Sequence, residues 1–212
     1  MMPDSPAVLV TGASTGIGAA CALRLDRLGY QVFAGIRDAA ARDRLRASAS
    51  ERLVPVSLDV TSADQIAAAV SVVKEAVGSR GLAGLVNNAG VGLGGPIEFV
   101  PVDQVRLLFE INVFGLLAVT QACLPLLRVA RGRVINMGSI AGRSVSPFVA
   151  PYCMSKHAVE ALTDGLRLEL AEAGIDVAVI EPGAVRTPIW EKGIAALGRA
   201  QQTLPPAAIE RY

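Results

Sequence analysis

Cysteine, histidine and net charge are all scarce in this sequence, and each scarcity removes a class of function. Only three of the 212 residues are cysteine, Cys21, Cys123 and Cys153. An odd count without regular spacing makes no disulfide framework. The N-terminus, MMPDSPAVLV, lacks a charged region followed by an apolar core and a cleavage site, so a reducing, cytoplasmic setting is expected. Twenty basic against 19 acidic residues leave a net charge of +1, too little for a field that would hold nucleic acid or an anionic membrane. A small-molecule partner is expected instead. Nor is there a run long enough to span a bilayer: the uncharged stretch from Ile111 to Leu127 falls short of roughly 20 apolar residues and contains Asn112, Gln121 and Pro125. It reads as a helix buried in the protein or at a subunit interface.

What is present is a globular composition, 52% hydrophobic and 18% charged, long enough for one domain with a sizeable core. No repeat, low-complexity tract or linker interrupts residues 1–212. Apolar runs of strand length fall at 7–11, 31–36, 53–58, 84–90, 133–139 and 176–182. Helical patterns lie between them at 16–28, 39–47, 62–77, 102–128 and 152–173. Continuous apolar strands alternating with helices predict an α/β architecture: a doubly wound parallel sheet buried on both faces.

In such a sheet a ligand binds beyond the carboxyl ends of the strands, where the strand order reverses. Two stretches with unusual chemistry lie at such ends. VTGASTGIGAA follows the first strand and opens the first helix; its glycines permit a tight turn and close approach to a ligand, and free N–H groups at a helix start favour phosphate. A bland strand-to-helix connection also uses glycine. PYCMSKHAVEAL places Tyr152 and Lys156 four residues apart, hence side by side on one helix face. A free phenol has a pKa near 10, and a nearby cation stabilises the phenolate, which makes proton exchange easier. His157, the only histidine, points about 100° away from Lys156 round the helix and reads as a packing or subunit-contact residue. Cys153 reads as a small packing residue.

The TGxxxGxG spacing, NNAG at 87–90, Ser139, Tyr152-x-x-x-Lys156 and a Pro-Gly after the sixth strand occur in one order along the chain. Together they resemble the classical short-chain dehydrogenase/reductase family, from about Val8 to Thr187. The resemblance implies a Rossmann fold and hydride transfer between a nicotinamide cofactor and a carbonyl or alcohol carbon. Tyr152 would be the general acid in reduction and the base in oxidation. Lys156 would tune it and bind the nicotinamide ribose, Ser139 would hold the substrate oxygen, and Asn112 would hold a water in a proton relay behind the lysine. No metal is needed in this scheme. The resemblance also assigns the cofactor contacts: Gly12, Ser14, Thr15, Gly16, Ile17 and Gly18 in the loop; Asp59 and Val60 at adenine; Asn87, Ala89 and Gly90 bordering the adenine ribose and supporting the sheet. After strand six, Pro182, Gly183, Val185 and Thr187 would wall the nicotinamide, with Thr187 on the carboxamide.

At the end of the second strand Ile36 stands where NAD-preferring enzymes usually place an acid, and Arg37 follows. A guanidinium pairs with a 2′-phosphate, so NADP is favoured over NAD, with Asp38 next in sequence as the competing signal. Val145, Pro147 and Phe148 are apolar candidates beside the pocket and suit a lipophilic alcohol or ketone. Family members commonly pair through their long helices, which predicts a homo-oligomer through 102–128 and 152–173. They also continue through a substrate-covering segment, a further helix and a seventh strand, whereas this sequence ends at QQTLPPAAIERY. The expectation is a six-stranded sheet with an incomplete covering segment at 189–212, an unprotected sixth strand, a tendency to aggregate and weak activity. A naturally short member, covered by a partner or a terminal helix, is the alternative. Two other readings keep the fold without turnover: a sensor that binds NADP(H), and an interaction subunit.

Overall fold

The computed structural model describes residues 5–187 and Arg211. Six parallel strands form one sheet: β1 (Ala7–Val10), β2 (Gln31–Ile36), β3 (Leu53–Ser57), β4 (Gly84–Asn87), β5 (Arg133–Met137) and β6 (Asp176–Ile180), in the order β3-β2-β1-β4-β5-β6. The helices are α1 (Gly16–Arg27), α2 (Ala39–Ala47), α3 (Ala63–Val77), α4 (Val102–Phe109), α5 (Gly115–Ala130) and α6 (Ala150–Leu170). The order reverses between β1 and β4, so the crevice at their carboxyl ends is the place where such a sheet binds a ligand.

Strand residues alternate between the two faces, and each face has its own core. Ala7, Leu9 and Phe33 join Val73, Leu85, Val119, Leu127 and Val177 on one side; Val8, Val10, Val32, Ala34 and Ile36 join Ala22, Ala41, Leu45 and Leu53 on the other. A fully buried Leu, Val or Phe side chain contributes about 1.5–3 kcal/mol, so both faces reward the same register.

The strand positions match the sequence reading, but five ends come earlier, β1 and β3 by one residue and three others by more. The runs 84–90, 133–139 and 176–182 leave the ladder at Asn87, Met137 and Ile180. At the first, the Asn88 and Ala89 N–H groups donate to Thr11 Oγ1, at 2.9 and 3.0 Å, so a side chain replaces the ladder partner. At the other two, Gly138 N donates to Ile180 O at 2.8 Å and closes the last rung.

The long helix read at 102–128 also differs. Val102–Ala130 is continuous and, by length and composition alone, reaches the size of a membrane-crossing helix. It contains a π-helical turn at Glu110–Phe114, where the Gly115 N–H reaches back to Glu110 O. That wider turn aims buried Asn112 at α6, while Leu108 and Leu116 on either side remain buried. Leu116, Val119, Thr120, Cys123, Leu126 and Leu127 form the buried face of α5.

β6 is an edge strand among the described residues, as the sequence implied. Its edge is not bare, because Arg167 Nε donates to Val177 O at 3.0 Å. The segment 189–212 assigned to substrate covering lies, Arg211 apart, outside the described residues; Arg211 pairs with Glu98 at 2.7 Å.

Candidate active site

The glycine loop is shaped by how closely another backbone passes it. Gly12 has φ +63°, and a Cβ there would lie 2.7 Å from Ala89 Cα; a Cβ on Gly18 would lie 2.3 Å from Asn88 Nδ2 and 2.4 Å from Gly12 O. No larger residue fits either position. Asn88 Nδ2 donates to Thr11 O and Gly12 O, both at 3.1 Å, which locks the loop to the end of β4. Thr15 precedes α1 without a side-chain cap, and the first turn of α1 has no acidic residue. Ser14, Gly16 and Ile17 are half-buried and Thr15 is exposed. Uncapped N–H groups at the positive end of a helix fit a phosphate, so the chain's own geometry suits a dinucleotide.

Of the two roles read for Asn87, bordering the adenine ribose and supporting the sheet, its side chain serves the second. It is 3% exposed, and its Nδ2 donates to Thr120 Oγ1 at 2.8 Å and Asn136 Oδ1 at 3.0 Å, while Asn136 Nδ2 donates to Thr163 Oγ1 at 2.9 Å. The pleat turns Asn87 into the core, so it supports the sheet, and the neighbouring Asn88 contacts the loop. Val60 is likewise buried, packed against Gly115 at the start of α5. Ala89 is half-buried, and Gly90 is exposed beside Asn112 Oδ1.

At the end of β2, Ile36 is buried and Arg37 is exposed. Arg37 Nη1 lies 3.6 Å from Asp59 Oδ2. Burial pushes the Asp59 carboxyl up, but hydrogen bonds from Thr61 N and Oγ1 together with the Arg37 guanidinium hold it below the ordinary range. Asp38 is occupied as the N-cap of α2, accepting from Ala40 N at 3.1 Å.

Tyr152 and Lys156 occupy the first turns of α6, which begins at Ala150 with Pro151 in its first turn. Ser139 ends the segment after β5: its Oγ accepts from Ala141 N at 3.2 Å, capping a 3₁₀ turn at Ile140–Gly142, and its hydroxyl lies near enough to the Tyr152 phenol to pull that phenol's pKa down. Burial pushes the Tyr152 pKa up, Ser139 pulls it back, and Cys153 adds a smaller upward push. Lys156 is 7% exposed, and its Nζ donates to Met137 O at 2.7 Å. Burial lowers its pKa from 10.5 to about 8, against the pull of Glu160 one turn further on.

The Lys156 ammonium stands 5.7 Å from the Tyr152 ring centroid, over its face, and is held by the Met137 carbonyl instead of the phenol oxygen. Asn112 is 1% exposed; its Oδ1 accepts from Val91 N at 2.9 Å, and its Nδ2 donates to Val91 O at 3.0 Å and Ser155 Oγ at 3.1 Å. Ser155 in turn donates to Tyr152 O at 2.8 Å. The asparagine side chain therefore ties the Val91 loop to the first turn of α6.

Pro182 O accepts from Ile140 N at 3.2 Å, which sets the Pro-Gly loop against the Ser139 turn. Gly183 and Val185 are exposed and Thr187 is half-buried. Val145 and Phe148 are exposed, and Phe148 adopts φ +66° with its carbonyl accepting from Gly95 N at 2.7 Å. His157 is exposed, with Nδ1 2.9 Å from Cys153 O, and Cys153 is buried, as its packing assignment implies. Thr11, Asn88, Ser155, Arg143 and Glu160 were not singled out from sequence. Thr11 and Asn88 lie inside the recognised motifs, where strand alternation separates the inward Asn87 from its neighbour.

The sequence profile of the short chain dehydrogenase family matches residues 6–196. Retinol dehydrogenase 16 of Rattus norvegicus is 45% identical over 183 residues, 86% of this chain and 57% of its own length. The bovine (Bos taurus) 17-beta-hydroxysteroid dehydrogenase type 6 is 41% identical over 208 residues, 97% of this chain and 65% of its own length. The chain thus spans a little over half the length of the first of these relatives. A short-chain dehydrogenase from Streptomyces avermitilis superposes with a TM-score of 0.81 at 37% identity, over 87% of this chain and 68% of that one. The 3-ketoacyl-(acyl-carrier-protein) reductase of Brucella melitensis, solved with NADH, superposes with a TM-score of 0.84 at 27% identity, over 89% and 80%. With a profile that runs from Pro6 to beyond the Pro-Gly loop, over the strand order on which the glycine loop and the Tyr152 helix converge, the chain belongs to the short-chain dehydrogenase family.

Proposed function

We propose that this chain is an oxidoreductase that moves a hydride between NADP(H) and a lipophilic carbonyl or secondary alcohol. The observation that carries this reading is the Ser139 hydroxyl beside the Tyr152 phenol, near enough to shift its pKa, with Lys156 buried one helical turn away. In this reading Gly12 to Gly18, Ala89, Gly90, Asp59, Lys156 and the loop from Pro182 to Thr187 would hold the cofactor. When bound, the nicotinamide supplies or accepts the hydride. Ser139 orients the substrate oxygen. The Tyr152 phenol, kept protonated at neutral pH by burial, donates its proton to that oxygen in the reducing direction. In oxidation it must first lose that proton, so alkaline pH favours this direction.

The relatives' names point to retinol and hydroxysteroids, and exposed Val145 and Phe148 offer an apolar margin for such a substrate. The test is a screen of retinal, ketosteroids and short ketones with NADPH and with NADH. Turnover of the lipophilic compounds supports the reading; cofactor binding with no turnover of any of them refutes it and leaves a sensor.

The preference for NADP rests on Arg37, since Asp38 is committed to capping α2. Asp59 also draws on Arg37 and weakens its call on a phosphate. Arg37→Asp is expected to weaken NADPH binding roughly 10- to 100-fold, the equivalent of one charge-assisted hydrogen bond, and to change NADH binding little. Isothermal titration with both cofactors decides; equal losses would remove Arg37 from the phosphate site.

Leu107 and Phe114 on α4 and the π turn, and Leu168 on α6, expose apolar surface that suits pairing of two copies through these helices. The same pairing accounts for the apolar α4–α5 segment without a bilayer. Phe114→Glu is expected to shift the chain toward monomer in sedimentation velocity; an unchanged distribution would exclude this face. The three cysteines are free thiols, which suits a cytoplasmic protein, and cell fractionation tests that placement.

A further inference from the structure

A buried carboxylate with no part in the proton steps above stands one turn beyond Lys156. Glu160 is 6% exposed, and its Oε1 lies against two glycines: a Cβ on Gly138 would be 2.8 Å from it and a Cβ on Gly142 3.0 Å. Neither carboxylate oxygen has an aligned hydrogen-bond donor, so its partner is an ion pair, Arg143 Nη2 at 3.0 Å from Oε2. The same guanidinium donates from Nε to Glu181 Oε1 at 3.1 Å. Glu181 immediately precedes Pro182 and Gly183, and Arg143 directly follows the 3₁₀ turn that Ser139 caps. Backbone hydrogen bonds join the same pieces, Gly138 N to Ile180 O and Ile140 N to Pro182 O.

One side chain therefore touches three segments: the Tyr152 helix through Glu160, the Pro-Gly loop through Glu181, and the Ser139 turn through its own backbone. A planar guanidinium with a fork of five donors serves two carboxylates at once, which an ammonium does less well. We propose that Arg143 is a positioning residue: clamped between Glu160 and Glu181, it fixes the Ser139 turn where the serine hydroxyl meets the Tyr152 phenol. This rests on the reaction proposed above for Ser139 and Tyr152. Arg143 itself is exposed and touches neither phenol nor serine hydroxyl, so its loss acts through geometry alone.

The experiment combines hydrogen exchange at residues 138–143 with steady-state kinetics, on the parent chain and on Arg143→Ala, Arg143→Lys and Glu181→Gln. Glu181→Gln guards against a misfolded Arg143→Ala, because it removes the charge from the loop arm, weakening it, and leaves Arg143 on Glu160. Arg143→Ala is expected to speed exchange of the Ile140 and Gly142 amides by about 10-fold or more, as local opening becomes easier. Its kcat should fall about 10-fold with substrate KM within about 2-fold, the pattern of a misplaced group and not of lost binding. Arg143→Lys and Glu181→Gln should give smaller changes in the same sense. Unchanged exchange in both Arg143→Ala and Glu181→Gln overturns the clamp, and so does faster exchange with an unaffected kcat. If the parent turns over no carbonyl substrate while exchange still accelerates, the reaction reading falls and the clamp on the turn stands.

Discussion

Replacing Tyr152 by phenylalanine is expected to lower turnover by roughly 10² to 10⁴, the range for loss of a general acid, while cofactor affinity changes little. The change removes one oxygen from a half-buried ring and leaves the ring's packing, so the loss is chemical and not structural. What remains at the substrate oxygen is the Ser139 hydroxyl, which orients but has no proton to spare at neutral pH. The pH dependence of the parent gives a second reading of the same group. Burial raises the Tyr152 pKa, so the phenol stays protonated through neutrality and the reducing rate should be level there. The oxidising rate should climb with pH, because it needs the phenolate. Stopped-flow reduction and oxidation from pH 6 to 10 check both. Near-normal turnover in Tyr152→Phe, or an oxidising rate that falls toward alkaline pH, would mean that another group carries the proton.

The alternation of strands and helices was legible because parallel strands buried on both faces must be almost continuously apolar, and β2 shows this from Val32 to Ile36. The glycine positions were legible for a steric reason. Gly12 and Gly18 meet other atoms so closely that any side chain is excluded, and such positions mark the sequence. Strand ends were less legible because tertiary partners set them: Thr11 Oγ1 takes the amides of Asn88 and Ala89, 77 and 78 residues away in sequence. The same limit explains Asn87 and Asn88. A motif with two asparagines does not say which one the pleat turns inward, and the inward one proves to be part of a buried chain with Asn136, Thr120 and Thr163.

The Tyr152–Lys156 pair shows where spacing stops being informative. Four residues on a helix bring the two side chains to one face, as the sequence implied, but they do not set the direction in which the ammonium donates. That is decided by the Met137 carbonyl at the end of β5, a contact from another element. The Arg143 bridge was invisible for a related reason: Arg143, Glu160 and Glu181 are spread over two loops and a helix, and only the parallel packing of β5 and β6 brings them together.

Replacing Lys156 by methionine is expected to abolish most turnover, weaken cofactor binding, and change how stability responds to alkali. A lysine whose folded pKa is lowered from 10.5 to about 8 destabilises the folded chain while it is charged. Below pH 8 both folded and unfolded states hold the proton, and the folded state bears the whole cost of a buried ammonium. Between about pH 8 and 10.5 the unfolded chain binds more protons than the folded one, so stability rises with pH. At about 1.4 kcal/mol per pKa unit, the rise attributable to Lys156 is on the order of 3 kcal/mol. That shift is already the net of burial, which lowers the pKa, and Glu160, which favours the charged form. Methionine has nothing to titrate, so its variant lacks this rise. It also leaves the Met137 carbonyl without its donor, a cost that does not vary with pH. Urea unfolding of both proteins at half-unit steps from pH 7 to 10 gives the difference curve. It should climb above pH 8; a flat or falling difference would show that Lys156 keeps its ordinary pKa and that its burial costs the fold nothing.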